Sequence, residues 1–318
     1  MNFIRRFINQ NRRGIIMVVA IIAFIFIIIP VANDIEGEKL KKQYEKEKAN
    51  KVELTEDEQN LPTKSIIGAS SVSLQKTKEN VALIEQFTQK CNNKDISGAY
   101  NMLTDECKKT LFQTVEDFER SYYKMIFSTR KLVDMENFIC VNNRYTYYVK
   151  FYDDILATGN LKKANYYNDY ITIDDNSQNG KISINSLICK KEINKTKETD
   201  GIKITILTQE IYKGKEKYEI KIENNTDKTV LIDTRAKSNT LYLIDENSVK
   251  YSSNIAEIAS IQQRIPANYS RTFKFSFNKI YSVQSQSKGI AFTDIVPDYE
   301  KYKEDKSYDK RVQISIEM

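Results

Sequence analysis

The residues best suited to chemistry crowd one stretch: Tyr147, Tyr148, Tyr152, Asp153 and Asp154. A carboxylate buried among rings gains proton affinity and can act as a base. A tyrosine hydroxyl beside it can donate to a developing oxyanion. Together they could abstract a proton beside a carbonyl. Alternating tyrosines are also ordinary on a half-exposed strand, and Asp153-Asp154 falls where a turn is expected. The chain has 318 residues and no histidine. That removes Ser-His-Asp triads, Cys-His proteases and His-Glu-x-x-His zinc sites. With 9 glycines, and neither G-x-x-x-x-G-K-[ST] nor G-x-G-x-x-G, it has no phosphate-cradling loop motif either. The reading is of a protein that is not an enzyme and needs no cofactor.

No metal site is expected. The loop from Asp174 to Gly180 is rich in oxygen ligands, but Asn185 stands where a calcium loop needs its closing glutamate. The cysteines are Cys91, Cys107, Cys140 and Cys189, with no C-x-x-C pair. Zinc ribbons and thioredoxin-like motifs are therefore unsupported. Two readings stay open: four small buried side chains, or two disulfides with three possible pairings.

The net charge is +6, and Arg5, Arg6, Arg12 and Arg13 supply four of those charges before any acidic residue occurs. Beyond them Lys and Glu are interspersed without a basic stripe, so no nucleic-acid partner is expected. The arginines precede an uncharged apolar run, residues 14–32, which as a helix would span about 28 Å. Asp34, Glu36 and Glu38 follow it. Cations before and acids after place the N-terminus in the cytoplasm. The expected location is the cell membrane, single-pass, with the bulk extracellular. A cleaved signal peptide is the alternative.

These groups need elements to position them. Residues 1–13 read as a cytoplasmic tail and 14–32 as a transmembrane helix. Residues 33–76 read as a charged stalk and linker, ending in Pro62 and Gly68-Ala69-Ser70-Ser71. Residues 77–190 read as helices first and strands second. Ile96, Ala99, Tyr100 and Leu103 share a helical face, with Asp95 as N-cap. Thr114 opens a helix whose buried stripe is Val115, Phe118, Tyr122, Met125 and Ile126. Tyr145, Tyr147, Val149 and Phe151 then alternate as on a strand. Residues 191–200 are polar and read as an interdomain linker. Residues 201–318 hold seven short strands between turn signals, which suggests a β-sandwich. Phe273, Phe275 and Phe277, two apart, should share its core face.

Two family resemblances accompany these patterns. Ile84-Glu-Gln-Phe87, Ala99-Tyr-Asn-Met-Leu103 and Phe118-Glu-Arg-Ser-Tyr122 resemble the opening helices of the nuclear-transport-factor-two-like family. That resemblance covers residues 77–190. It implies a cone-shaped α+β domain, helices on an antiparallel sheet, with room for a pocket between them. Tyr218-Glu-Ile-Lys-Ile-Glu-Asn-Asn-Thr226 and the proline turn from Ile265 into Phe273, Phe275 and Phe277 are similar to immunoglobulin-like domains of bacterial surface proteins. Asn268 stands there in place of the usual glycine.

The expected fold class is therefore multidomain: a transmembrane helix, an α+β cone-shaped domain, then an all-β immunoglobulin-like sandwich at 201–318. The layout also resembles accessory proteins of conjugative and type IV secretion machinery. It implies a non-enzymatic scaffold whose partners are the membrane and other envelope or secretion proteins. The alternative is a protein that binds or senses a small molecule or a cell-wall ligand.

Overall fold

Capping side chains set where the helices start. Ser73 accepts from the Lys76 N–H and opens α1 (Leu74–Asn92), and Asp95 accepts from the Gly98 N–H and opens α2 (Ile96–Asn101). Thr104 caps α3 (Asp105–Leu111) and Thr114 caps α4 (Val115–Phe118) in the same way. The chain then passes through a π-helical turn (Glu119–Tyr123) into α5 (Lys124–Ile126). A π-turn adds a residue to the helical repeat and rotates the face that follows. The expected stripe is corrected for that reason: Tyr123 is buried at 8 % exposure, while Met125 stands 60 % exposed. The computed structural model describes residues 61–318 apart from 68–69, 142, 155, 157–165, 176–179 and 254–257.

After the helices come β1 (Lys131–Val141), β2 (Arg144–Asp153), β3 (Tyr166–Asp174) and β4 (Ile182–Ser183), an antiparallel sheet in that order. Tyr147, Val149 and Phe151 of β2, with Ile171 and Ile173 of β3, share a core with Ile84, Phe87, Phe118 and Tyr122 of the helices. Rings fill that core. Phe87, Phe118, Tyr122 and Phe151 are all fully buried, and Phe112 meets Phe118 edge-on at 5.6 Å. Each such ring pair adds about 0.5–1.5 kcal/mol beyond the area it buries.

Leu187 of β5 (Leu187–Thr199) belongs to this first core, and the strand continues without a break to Thr199. It pairs with β6 (Ile202–Tyr212) from Leu187 opposite Tyr212 to Thr199 opposite Ile202, through two bulges. The expected linker at 191–200 is thereby corrected: residues 191–199 are strand. Their apolar content is low because β5 is an edge strand, largely exposed beyond Cys189. The tail of the expected spacer is also corrected. Ile66 and Ile67 donate to the carbonyls of Asn137 and Phe138, and Ser70 Oγ donates to that of Cys140, tying the segment to β1.

The remaining strands are β7 (Glu216–Asn224), β8 (Val230–Leu231), β9 (Leu241–Asp245), β10 (Lys250–Ser252), β11 (Arg264–Ile265), β12 (Tyr269–Phe277), β13 (Ser287–Ile295) and β14 (Val312–Glu317), with α6 (Tyr299–Glu304) before the last. One sheet runs β12-β7-β6-β5 and another β10-β9-β13-β14, while β8 pairs with β11. Ile204, Ile220, Phe273, Phe275 and Phe277 of the first meet Leu243, Ile290, Phe292 and Ile314 of the second in one core. Asn224 ties its corner. Its Nδ2 donates to the carbonyls of Lys228, Ile265 and Pro266, and its Oδ1 accepts from the Thr226 N–H. Asn268 sits at φ 54°, the left-handed conformation in which asparagine best substitutes for glycine.

The expected fold class is overturned as a whole. The described residues are predominantly antiparallel β, 45 % strand against 22 % helix, and residues 61–318 make one compact unit. Among the described residues no helix is long and apolar enough to cross a membrane. The expected single-pass membrane location is corrected on that finding. The tail, the apolar run at 14–32 and residues 33–60 lie outside the described residues, as do Arg5, Arg6, Arg12 and Arg13.

Limited trypsin digestion of the native chain tests the corrected linker. Lys190, Lys191, Lys195 and Lys197 should resist cleavage while hydrogen-bonded in β5. Early cuts there would restore a flexible connection.

Candidate functional site

The strict alternation of β2 separates the sequence-predicted cluster instead of assembling it. Tyr147 points into the helix-covered core, fully buried, and its hydroxyl accepts from Asn80 Nδ2 at 3.2 Å. Tyr148 lies on the opposite face, its ring 5.3 Å from that of Tyr170. Tyr152 shares that second face, opposite Tyr166 of β3. Asp153 is buried in an ion pair with Lys131 Nζ at 2.5 Å and accepts from Thr129 Oγ1 at 2.5 Å. Asp154 meets Arg130 at 3.2 Å. The five face different sides of the strand, and each carboxylate is held by a cation.

The carboxyls with raised proton affinity lie elsewhere. Burial raises Asp169 to about 6, against hydrogen bonds from the Tyr122 hydroxyl and three backbone N–H groups. Those donors are Tyr170, Asn185 and Ser186, at 2.7–2.9 Å. Four donors leave Asp169 little capacity to take a substrate proton; it pins the turn at Asn185 and Ser186, both at positive φ. Burial raises Glu106 to about 7, with Arg144 opposing. Glu106 accepts from the backbone N–H of Lys190.

A cleft opens where the first sheet meets the start of β5, the end of β6 and the start of β7. It encloses about 100 Å³ and is lined by Arg144, Cys189, Lys191, Gln209, Glu216, Lys279 and Tyr281, among others. Glu216 organises it. Its carboxylate accepts from Lys279 Nζ at 3.0 Å, Tyr218 Oη at 2.5 Å, Ser287 Oγ at 2.7 Å and Gln209 Nε2 at 2.9 Å. Glu216 and Lys279 are each 2 % exposed. Burial pushes the Glu216 carboxyl up, but the Tyr218 hydrogen bond, the Lys279 charge and the Ser287 and Gln209 donors together hold it below the usual range. Arg144 Nε donates to Asp174 at 2.7 Å. An open depression of about 450 Å³ adjoins the cleft, walled by Ile67, Ile139, Val141 and Val283.

No family model and no curated protein matches this chain. A solved structure described as a conserved hypothetical protein from Bacillus anthracis is similar over 40 % of this chain and 90 % of that one. Its sequence is 13 % identical and the TM-score is 0.23.

The cysteines are free thiols: Cys91, Cys107 and Cys189 buried, Cys140 half-buried. Burial raises all four, so the nucleophilic thiolate is disfavoured. The expected alternative of two disulfides is thus not what the structure contains. Among the described residues no group of three or more Cys, Asp or Glu could hold a metal ion. The cleft was missed in the sequence because its parts are remote there; Glu216 and Lys279 are 63 residues apart. The one local signal was two charged residues at strand ends, Glu216 beginning β7 and Lys279 following β12.

Glu216→Gln should destabilise the fold by about 3–5 kcal/mol at pH 7, because it strands a buried ammonium. Urea denaturation reads this. The Glu216 carboxyl is lowered in the fold, so its contribution is complete above the ordinary carboxylate range and is lost as pH falls through the folded value. The gap between wild type and Glu216→Gln should therefore narrow on acidification. An unchanged gap at pH 3 would contradict the assignment.

Proposed function

We propose that this protein is a non-catalytic interaction scaffold. The observation that carries the reading is the filled interior between helices and first sheet. Phe87, Phe118, Tyr122, Tyr147 and Phe151, all fully buried, fill the space between the helices and the first sheet where a ligand would otherwise sit. Asp169 and Glu216, buried and saturated with donors, support it: both serve structure. The two facing sheets, their Asn224 corner and the Asn268 turn support reading residues 201–318 as an immunoglobulin-like interaction module. The resemblance to accessory proteins of conjugative and type IV secretion machinery suggests the kind of assembly served.

The ligand-binding alternative draws on the cleft at Glu216. At about 100 Å³ it falls short of the roughly 300–1,000 Å³ of small-molecule sites. The neighbouring depressions are larger but open to solvent.

Two measurements on the full chain separate the readings. Photo-crosslinkers placed at exposed Val283 and Lys215 in the native cell should trap defined protein partners. A panel of metabolites and cell-wall fragments should leave Tm unchanged. A ligand present at a hundred times its Kd would add about 2.7 kcal/mol. A Tm rise that reports such a stabilisation, with no crosslinked protein, would reverse the assignment.

A further inference from the structure

The acids near the β6–β7 hairpin are already engaged. Asp174 accepts from Arg144, Glu210 from the Tyr212 hydroxyl, and Glu216 from Lys279 and three other donors. The cations of the hairpin are not. Lys213, Lys215 and Lys217 make no ion pair among the described residues. Their ammonium groups rest over rings: Lys213 5.0 Å from the Tyr170 centroid, Lys215 5.6 Å and Lys217 5.0 Å from that of Tyr212. Partial burial lowers Lys217, and the charges of Lys215 and Lys274 lower it further against the pull of Glu210. Lys215 and Lys217 are thus held close together over one ring, with Glu210 near Lys217 but in ion-pair contact with neither. Beside them an open depression of about 370 Å³ is lined by Leu111, Asn185, Tyr212, Lys215 and Lys217.

We propose that this hairpin docks an acidic segment of a partner protein, with carboxylates on Lys215 and Lys217 and an apolar side chain against Leu111. The proposal rests on the scaffold reading and names the chemistry of its partner. Charge complementarity supplies the attraction, and anchored rim lysines set its specificity. A peptide fits better than a nucleic acid strand. The Tyr170 and Tyr212 rings that would stack a base are covered by lysine, and Leu111 adds an apolar contact that suits a side chain.

The test uses the full chain and a short poly-L-glutamate peptide as probe, with inorganic polyphosphate as the competing class. Lys215→Glu with Lys217→Glu should weaken peptide binding by roughly tenfold or more, since two attractive contacts become repulsive. Lys94→Glu with Lys310→Glu, a charge-matched pair at exposed positions elsewhere, should change it less than twofold. Binding should also weaken as salt rises. Equal losses in both variants, no binding by wild type, or tenfold tighter binding of polyphosphate would each overturn the proposal. Undiminished crosslinking of a partner from Val283 in the Lys215→Glu, Lys217→Glu variant would overturn this site while leaving the scaffold reading standing.

Discussion

The ladder between β5 and β6 is the element on which the rest of residues 61–318 depends. Leu187 and Tyr212 close one end inside the aromatic core under the helices, and Ile202, paired with half-exposed Thr199, closes the other inside the two-sheet core. Two hydrophobic cores are thereby built on one pair of strands. Neither can change its position relative to the other without breaking backbone hydrogen bonds along that pair. The bulges at Leu187/Cys189 and Glu192/Lys195 bend β5 and raise the local twist of so long a pair.

Where the cores meet, polar groups outnumber apolar ones, and the structure resolves this by saturation. Glu216 takes four donors, one of them a buried ammonium, and Arg144 takes Asp174. A charge removed from water is tolerated only when its partners are fixed in advance. The arrangement holds the junction in one geometry. The excess of positive charge remains at the hairpin surface, where solvent can stabilise it.

Local patterns were legible in the sequence and long-range ones were not. Asp95 and Thr114 announced helix starts because capping is decided within three residues. Tyr145 to Phe151 and Phe273 to Phe277 announced strands because a period of two needs only a few positions. The stripe from Val115 to Ile126 failed at Met125 because of the π-turn, which nothing in 119–123 signals. The strand at 191–199 read as linker because an edge strand exposed on both faces has no apolar alternation. Asp153 and Asp154 were visible as a pair, but their cations, Lys131 and Arg130, follow from the register of β1 on β2.

The unbroken run of β5 also has a mechanical meaning. A pull that draws β5 lengthwise past β6 would strain the cross-strand bonds of the ladder simultaneously, as in a lap joint, rather than opening them one at a time like a zipper. A flexible tether between the two cores would stretch under a small load and pass little of it on. The paired strand makes the join as stiff as the bodies it connects, so a push or tug received by one body reaches the other with little loss.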